Sequence, residues 1–505
     1  ALLYHFWQYR AYFSVRYCHR KNGRICDAAK CMEDWELNRV ASLLFNARRI
    51  LKRTQLEGPL PDDGDLLRRA FRVAWPSTLE SFLVALVSVV DTIMVSSLGA
   101  AAIAAIGLTG QPKFICLAVF LSVNVAVSAI VARRKGEGDR EGANRVLVQA
   151  ILITVVLTVV ITALALIFAE PVLRLAGTNE DTHELATGYF RIIVGCQFFN
   201  VLNMVINAAQ RGVGNTKIAM RTNIVSNLVN IVFNYLLIGG NFGFPALGVN
   251  GAAIATVLGT VVASGMALRS VMHPDSFLYL FYNKRPVGFD RKTLGSIANI
   301  GSATLAEQLF LRFGFLMYTM VVARLGTNAF AAHQIGMNII TISFAFGDGL
   351  SVASVSLVGQ SLGEKRPDLA KVYGGFCQRL GFLCSAAVAF VYVVFGRDVF
   401  RLFSADPEIL DYGAMIMDFV AVIVFLQISQ VIYSGCLRGG GDTRFVALVS
   451  LISVACIRPL SGWLFVYPLG RGLFGAWLGL AIDQLLRLLL TMWRFKHDKW
   501  LKIKI

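Results

Sequence analysis

An all-α polytopic membrane protein, with about twelve transmembrane helices in two pseudo-symmetric six-helix lobes, is the fold class this sequence predicts, and three observations predict it. The first is composition: of 505 residues 56% are hydrophobic, only 16% are charged, and mean hydropathy is +0.62, whereas a soluble domain is nearer a quarter charged. The second is segmentation into apolar stretches, each near the ~20 residues that cross a bilayer as a helix. The third is self-similarity at one fixed offset of 227 residues.

The apolar segments fall near 73–97, 107–132, 146–169, 186–209, 218–238 and 248–270, then 294–323, 329–358, 372–395, 410–436, 445–466 and 472–493. Thr222 to Leu268 carries no charge and is too long for one span. Its break is GGNFGFPALG, Gly239 to Gly248, rich in the residues that stop helices. The organisation expected is an amino-terminal extension over 1–65, a first six-helix lobe over 66–272, an inter-lobe linker over 273–292, and a second lobe with a basic tail over 293–505.

Residues 1–65 are polar and of mixed charge, without the charged, apolar and small-residue regions of a cleavable signal peptide. Within them WELNRVASLLFNARRILKR, Trp35 to Arg53, is amphipathic and suits a membrane surface. Cys18, His19, Cys26 and Cys31 match no standard zinc-finger spacing. The nine cysteines form no compact framework of pairs, so free thiols are expected.

An excess of 48 basic over 31 acidic residues gives a formal charge of +17. On a soluble protein that balance would point to nucleic acid. Here the basic residues gather in short loops, RRKGEGDREGANR, KRPVGFDRK, EKRPDLAK and the tail KHDKWLKIK, as cytoplasmic loops facing anionic lipid do. The expected partner is the bilayer, with no nucleic acid, and the loop asymmetry places both termini in the cytoplasm. A plasma or bacterial inner membrane fits this pattern best.

The repeat is explicit. LGAAAIAA at Leu98 recurs as LGTNAFAA at Leu325, FAEPVLRL at Phe168 as FGRDVFRL at Phe395, and RGVGNTK at Arg211 as RGGGDTR at Arg438. Six spans per repeat is an even number, so both halves enter with one orientation, as parallel repeats about an axis along the membrane normal. Such a plan puts a solute path between two lobes that rock.

Carboxylates inside the apolar spans carry the functional argument, because a buried charge in hydrocarbon persists mostly where it does a job. Asp91 lies deep in the first span, and Glu80 is 11 residues before it, about three turns away on the same face. Glu80 has a repeat mate in Glu307, whereas the mate of Asp91 is Tyr318. The fifth span presents Asn223, Asn227, Asn230 and Asn234 on one helical face, and the fourth presents Asn200, Asn203, Asn207 and Gln210. Amide stripes of this kind serve as packing glue between helices, or they join Asp91 in a hydrated cation or proton site. Spacing does not separate the two readings, but the acid favours the second. In the second lobe the mates of Asn223, Ser226, Asn230 and Asn234 are Ser450, Ser453, Ile457 and Ser461, so the richer ion site is expected in the first lobe.

Other charges in the spans have plainer readings. Lys113, Arg312 and Arg324 are expected near interfaces or against acids; Asp348, Asp418, Arg458 and Asp483 either line the cavity or satisfy neighbouring spans. His333 reads as a packed histidine. No nucleotide-binding GxxxxGK[ST], metal cluster or nucleophile–base pair is present, which argues against an enzyme and against ATP as the energy source.

VDTIMVSSLG at Val90, RGVGNTK at Arg211, GVNGAAIAT at Gly248, AEQLF at Ala306 and CLRGGGDT at Cys436 together resemble the multidrug and toxic compound extrusion (MATE) transporters, over about Leu66 to Arg494 and most closely the branch that includes the DNA-damage-inducible F transporters. The resemblance implies a monomer that exports cationic or amphipathic small molecules by exchange with H+ or Na+, with no cofactor beyond that ion. Position by position it implies that Asp91 takes the coupling ion with Asn230 and Thr256 as partners, while Asn234 stands where some members have an aspartate. Glu307 matches the glutamate of the sodium-coupled branch, and Gln427 stands where that branch has an aspartate. Glu80, Asn200, Asn203, Asn207 and Gln427 are then expected to line the cavity. These departures favour H+ over Na+. The competing expectation is a flippase for a lipid-linked substrate of the same superfamily.

Overall fold

The computed structural model describes residues 45–51, 56–282, 289–404 and 406–503. Cys18, His19, Cys26, Cys31 and the greater part of Trp35–Arg53 lie outside the described residues, as does the middle of the inter-lobe linker. Eleven described helices are long and apolar enough to cross a membrane, and a bent pair, Asp181–Gly195 and Gln197–Gly212, meeting at 47°, makes a twelfth span. No strand occurs among the described residues.

The first lobe comprises Asp63–Ser96, Ala100–Gly136, Arg140–Ile167, the bent fourth span, Thr216–Gly239 and Gly248–Val271. The second comprises Arg291–Ala323, Thr327–Gly363, Pro367–Arg401, Pro407–Gly439, the interrupted Thr443–Val466 and Gly472–Lys496. Several helices outrun their apolar segments, since hydropathy marks only the part in lipid while arginine and lysine continue a helix readily. The first span illustrates this. Its helix starts at Asp63, where the Asp62 side chain accepts from the Gly64 N–H at 3.1 Å, and carries Arg68, Arg69 and Arg72 before the lipid-facing stretch.

Two spans are irregular for identifiable reasons. The eleventh contains a π-helical turn over Leu451–Ile457, ending two residues before Pro459. Proline lacks the N–H for the preceding turn, and a wider turn accommodates the gap. Its counterpart in the first lobe, Thr216–Gly239, has no proline and stays α-helical throughout. The charge-free stretch breaks where the glycines sit. Gly240 ends that helix at φ +70, in a turn where a Cβ would lie 2.9 Å from the Ala246 Cβ.

The lobes meet through the first and second spans of one against the seventh and eighth spans of the other. On the side that carries the basic loops this contact is glycine-tight and obeys the repeat. A Cβ on Gly136 would fall 1.9 Å from the Gln360 carbonyl oxygen, and one on its repeat mate Gly363 would fall 2.1 Å from the Arg133 carbonyl oxygen. Polar bonds reinforce the seam: the Gly212 carbonyl accepts from Gln360 Nε2 at 2.9 Å and Ser356 Oγ at 3.2 Å, and Arg69 Nη2 donates to Gln360 Oε1 at 3.1 Å. The carboxyl-terminal segment adds a strap, with Arg133 donating to the Ile503 carbonyl at 2.8 Å and Lys371 paired with Asp498 at 2.6 Å. The basic-loop side is therefore closed.

Gly136→Val puts two γ-carbons into backbone that has no room for a β-carbon, and the expected outcome is a loss of about 1–3 kcal/mol, seen as a lower thermal midpoint in detergent. An unchanged midpoint would show that the two helices cross elsewhere.

Candidate functional site

Between the lobes lies a cavity of about 780 Å³. Most of its wall comes from the first lobe, with the eighth span facing it from the second. Along that eighth span Thr341, Phe344, Ala345, Asp348, Ser351, Val352 and Val355 all line the cavity, a spacing that defines one helical face. The polar lining contains Asp91, Glu80, Arg211, Asp348 and Arg438 and many asparagines.

Asp91 is half-buried in the first span and takes its hydrogen bonds from the fifth. Asn234 Nδ2 donates to Asp91 Oδ1 at 2.8 Å. With the Asn230 amide turned so that hydrogen bonding is satisfied, its nitrogen also donates to Asp91, at 2.8 Å to Oδ1 and 3.3 Å to Oδ2, while its oxygen accepts from the Thr256 hydroxyl at 3.1 Å. Four of the five residues expected around a coupling ion, Asp91, Asn230, Asn234 and Thr256, thus form one connected cluster across the first, fifth and sixth spans. Lys113, on the second span, stands 5.8 Å from the Tyr189 ring and within electrostatic range of Asp91.

Glu307, the fifth, lies in the other lobe. It is 1% exposed, and Arg438 Nη2 donates to its Oε1 at 2.5 Å. Glu80 has the same environment in the first lobe: it is 4% exposed, paired with Arg211, and accepts from Asn223 Nδ2 at 2.5 Å. Both pairs span 131 residues of chain and are repeat mates. Ion pairing of these arginines with the intramembrane glutamates was not among the expectations from sequence, in which Arg211 and Arg438 stood only as the first residues of a repeated motif. The signal was present, since Glu80 and Arg211 recur together as Glu307 and Arg438 at one offset.

The amide stripes divide. Asn223, Asn230 and Asn234 serve the two carboxylates, whereas Asn207 Nδ2 donates to Asn203 Oδ1 and Thr222 Oγ1, each at 2.9 Å, tying the fourth span to the fifth. Asn200, Asn203 and Asn207 line the cavity, as Glu80 does; Gln427 is buried in the tenth span away from its lining. Gln427, expected on the cavity wall, is thus not part of that wall in this arrangement of the helices.

The remaining intramembrane charges resolve individually. Arg458 and Asp483 form a closed pair at 2.6 Å, 1% and 0% exposed, with the Arg458 guanidinium 4.7 Å from the Phe315 ring. Arg312 stacks on Phe114 across the lobe boundary at 3.3 Å, Arg324 and Asp418 are exposed, and Asp348 lines the cavity. His333 packs edge-on between Tyr318 and Trp477, at 5.5 and 5.7 Å between ring centres. No group of three or more metal-ligating side chains exists among the described residues.

Two six-helix lobes related by a sequence repeat and enclosing a polar, acid-bearing cavity are the architecture of a polytopic membrane transporter. The MatE family model matches the chain twice, over residues 76–236 and 303–464, and the chain belongs to the MATE family, a class of transporters and not of enzymes. It is 26% identical over 447 residues to a probable multidrug resistance protein NorM of Thermotoga maritima, covering 88% of this chain and 95% of that protein. It is 25% identical over 455 residues to YisQ, an uncharacterized transporter of Bacillus subtilis, covering 90% and 98%. A crystal structure of MATE in the straight conformation shares the fold, with a TM-score of 0.80 at 24% identity over 86% of this chain and 97% of that one.

Removing one member of a buried ion pair leaves its partner charged in a dry site, a loss of about 3–5 kcal/mol, while removing both is far milder. Arg438→Gln is expected to lower the thermal midpoint in detergent sharply, and Glu307→Gln with Arg438→Gln to regain much of it. Equal losses from the single and double variants would mean that the two side chains do not depend on each other.

Proposed function

We propose that this protein is a secondary antiporter that expels cationic or amphipathic small molecules in exchange for H+, with Na+ as the second coupling ion to be tested. The observation that carries the proposal is the Asp91 cluster: a carboxylate on the cavity wall whose hydrogen-bond donors are two neutral amides, Asn234 and Asn230. The relatives named as multidrug resistance proteins support the substrate class.

The chemistry follows from that environment. Charged Asp91 accepts from both amides and so draws the first span toward the fifth. A proton on it removes the charge, turns one oxygen into a donor and weakens that tie. A coupling ion drives the lobes only by favouring one arrangement over the other, and a solute need only favour the opposite one. Ion and solute therefore alternate without meeting. The basic loops support a cytoplasmic placement of the closed side and of both termini, in a cell membrane; a monomer suffices, since both lobes lie in one chain.

Amide donors at the acid and the Lys113 cation at longer range suit a proton better than Na+, whose site needs several oxygen ligands, whereas the Asn234 and Asn230 nitrogens point at Asp91. Glu307 would be the alternative ion ligand, and its engagement by Arg438 counts against that role.

The test is efflux of a fluorescent cationic dye from proteoliposomes, driven separately by a proton and by a sodium gradient. Proton-driven export that is lost in Asp91→Asn and retained in wild type is the expected result. Wild-type transport by Asp91→Asn refutes the assignment; sodium-driven export lost in Glu307→Gln moves coupling to the second lobe. No dye movement under either gradient favours a flippase for a lipid-linked substrate.

A further inference from the structure

The carboxylates on the cavity wall are not equivalent. Glu80 is neutralised by Arg211, and Arg438 faces the cavity while bonded to Glu307 behind it. Asp91 is occupied by two amides. Asp348 is different: among the described residues it accepts one hydrogen bond, from the Ser81 hydroxyl at a long 3.4 Å, and Arg211 and Arg438, both held by glutamates, act on it only at range. Among the described residues two carboxylates on the cavity wall are in no salt bridge: Asp91, which has its two amides and Lys113 at longer range, and Asp348.

Asp348 has a second qualification. Phe344 precedes it by one helical turn on the same cavity face and is 36% exposed, so an aromatic face and a carboxylate stand side by side. That is the pairing an organic cation requires, with Coulomb attraction to the acid and cation–π attraction to the ring. Thr341 and Ser351 extend the face in both directions with neutral polar groups. The repeat demands no acid there, because the first-lobe mate of Asp348 is Leu121.

We infer that Asp348, with Phe344 beside it, is the counter-charge that selects and holds the cationic group of the exported solute; the inference rests on the export function proposed above. Ser81, the contact of Asp348 on the first span, is ten residues from Asp91, or about 15 Å along a helix at 1.5 Å per residue. The solute's charge and the coupling ion therefore occupy separate carboxylates on opposite lobes. A cation at Asp348 competes with the Ser81 bond that joins the eighth span to the first, so arrival of solute loosens a contact between the lobes.

The experiment measures binding of tetraphenylphosphonium to the purified full-length protein by isothermal calorimetry, for wild type, Asp348→Asn and Asp348→Glu. The expected result is affinity weakened at least about tenfold in Asp348→Asn and held within about threefold in Asp348→Glu. A second measurement needs no variant: carbodiimide labelling of wild-type carboxyl groups, mapped by mass spectrometry, with tetraphenylphosphonium protecting Asp348. Equal affinity in wild type and Asp348→Asn, or labelling of Asp348 that the cation does not reduce, overturns the inference and leaves the antiport proposal standing. No binding of the cation by wild type overturns both.

Discussion

Hydrocarbon tolerates a charge only when another charge or a set of dipoles answers it, and the twice-built glutamate–arginine pair is this protein's most consequential answer. Glu80 with Arg211 ties the first span to the end of the fourth; Glu307 with Arg438 ties the seventh to the end of the tenth. Each tie reaches from a span interior to the RGVGNTK or RGGGDTR turn. Each turn then places a glycine, Gly212 or Gly439, so closely against the second or eighth span that a Cβ would lie 2.7 Å from the Ser128 carbonyl or 2.6 Å from the Val355 carbonyl. Ion pair, turn and glycine contact act as one unit. Each copy braces its own lobe, and the first also presents the Gly212 carbonyl to Gln360 and Ser356 across the seam.

Around that shared frame the lobes have diverged in chemistry. At the position of Asp91 the second lobe has Tyr318, fully buried, its hydroxyl donating to the Ala476 carbonyl at 2.8 Å. The charges nearby in the second lobe are the Arg458–Asp483 pair and Arg487, within electrostatic range of both. The first lobe instead gives Asp91 two neutral amides at hydrogen-bond distance and Lys113 at longer range. Duplication preserved the helix packing, because backbone approach depends on glycine and small residues, while side chains that face the cavity were free to change. The two lobes therefore answer their intramembrane acids differently, with amides at Asp91 and with an arginine at Asp483.

Much of this was legible in advance. Asp91 stood out because an acid amid apolar residues has few benign explanations, and its amide partners stood out because their spacing repeats at a helical interval. Other features were not. Asn203 and Asn207 have the same spacing as Asn230 and Asn234 yet bond to each other and to Thr222, since helical periodicity reports a shared face and not what that face meets. The bend of the fourth span at Cys196 left no break in hydropathy to notice. Gln427 was misplaced for a related reason: a position along a span does not state its rotation.

The chain by itself determined the lipid-soluble class, the span count, the duplication and the candidate acid, because these follow from hydropathy, loop charge and a fixed offset, all properties of residues in order. Only the tertiary structure decided which charges neutralise one another. Arg211 is 131 residues from Glu80, and Ser81 is 267 from Asp348; contacts across such separations depend on how helices rotate and cross. That rotation commits Glu80 and Glu307 to arginines and leaves Asp91 and Asp348 on the cavity wall without a salt bridge among the described residues, since an acid meets a cation only where crossing helices bring one within reach.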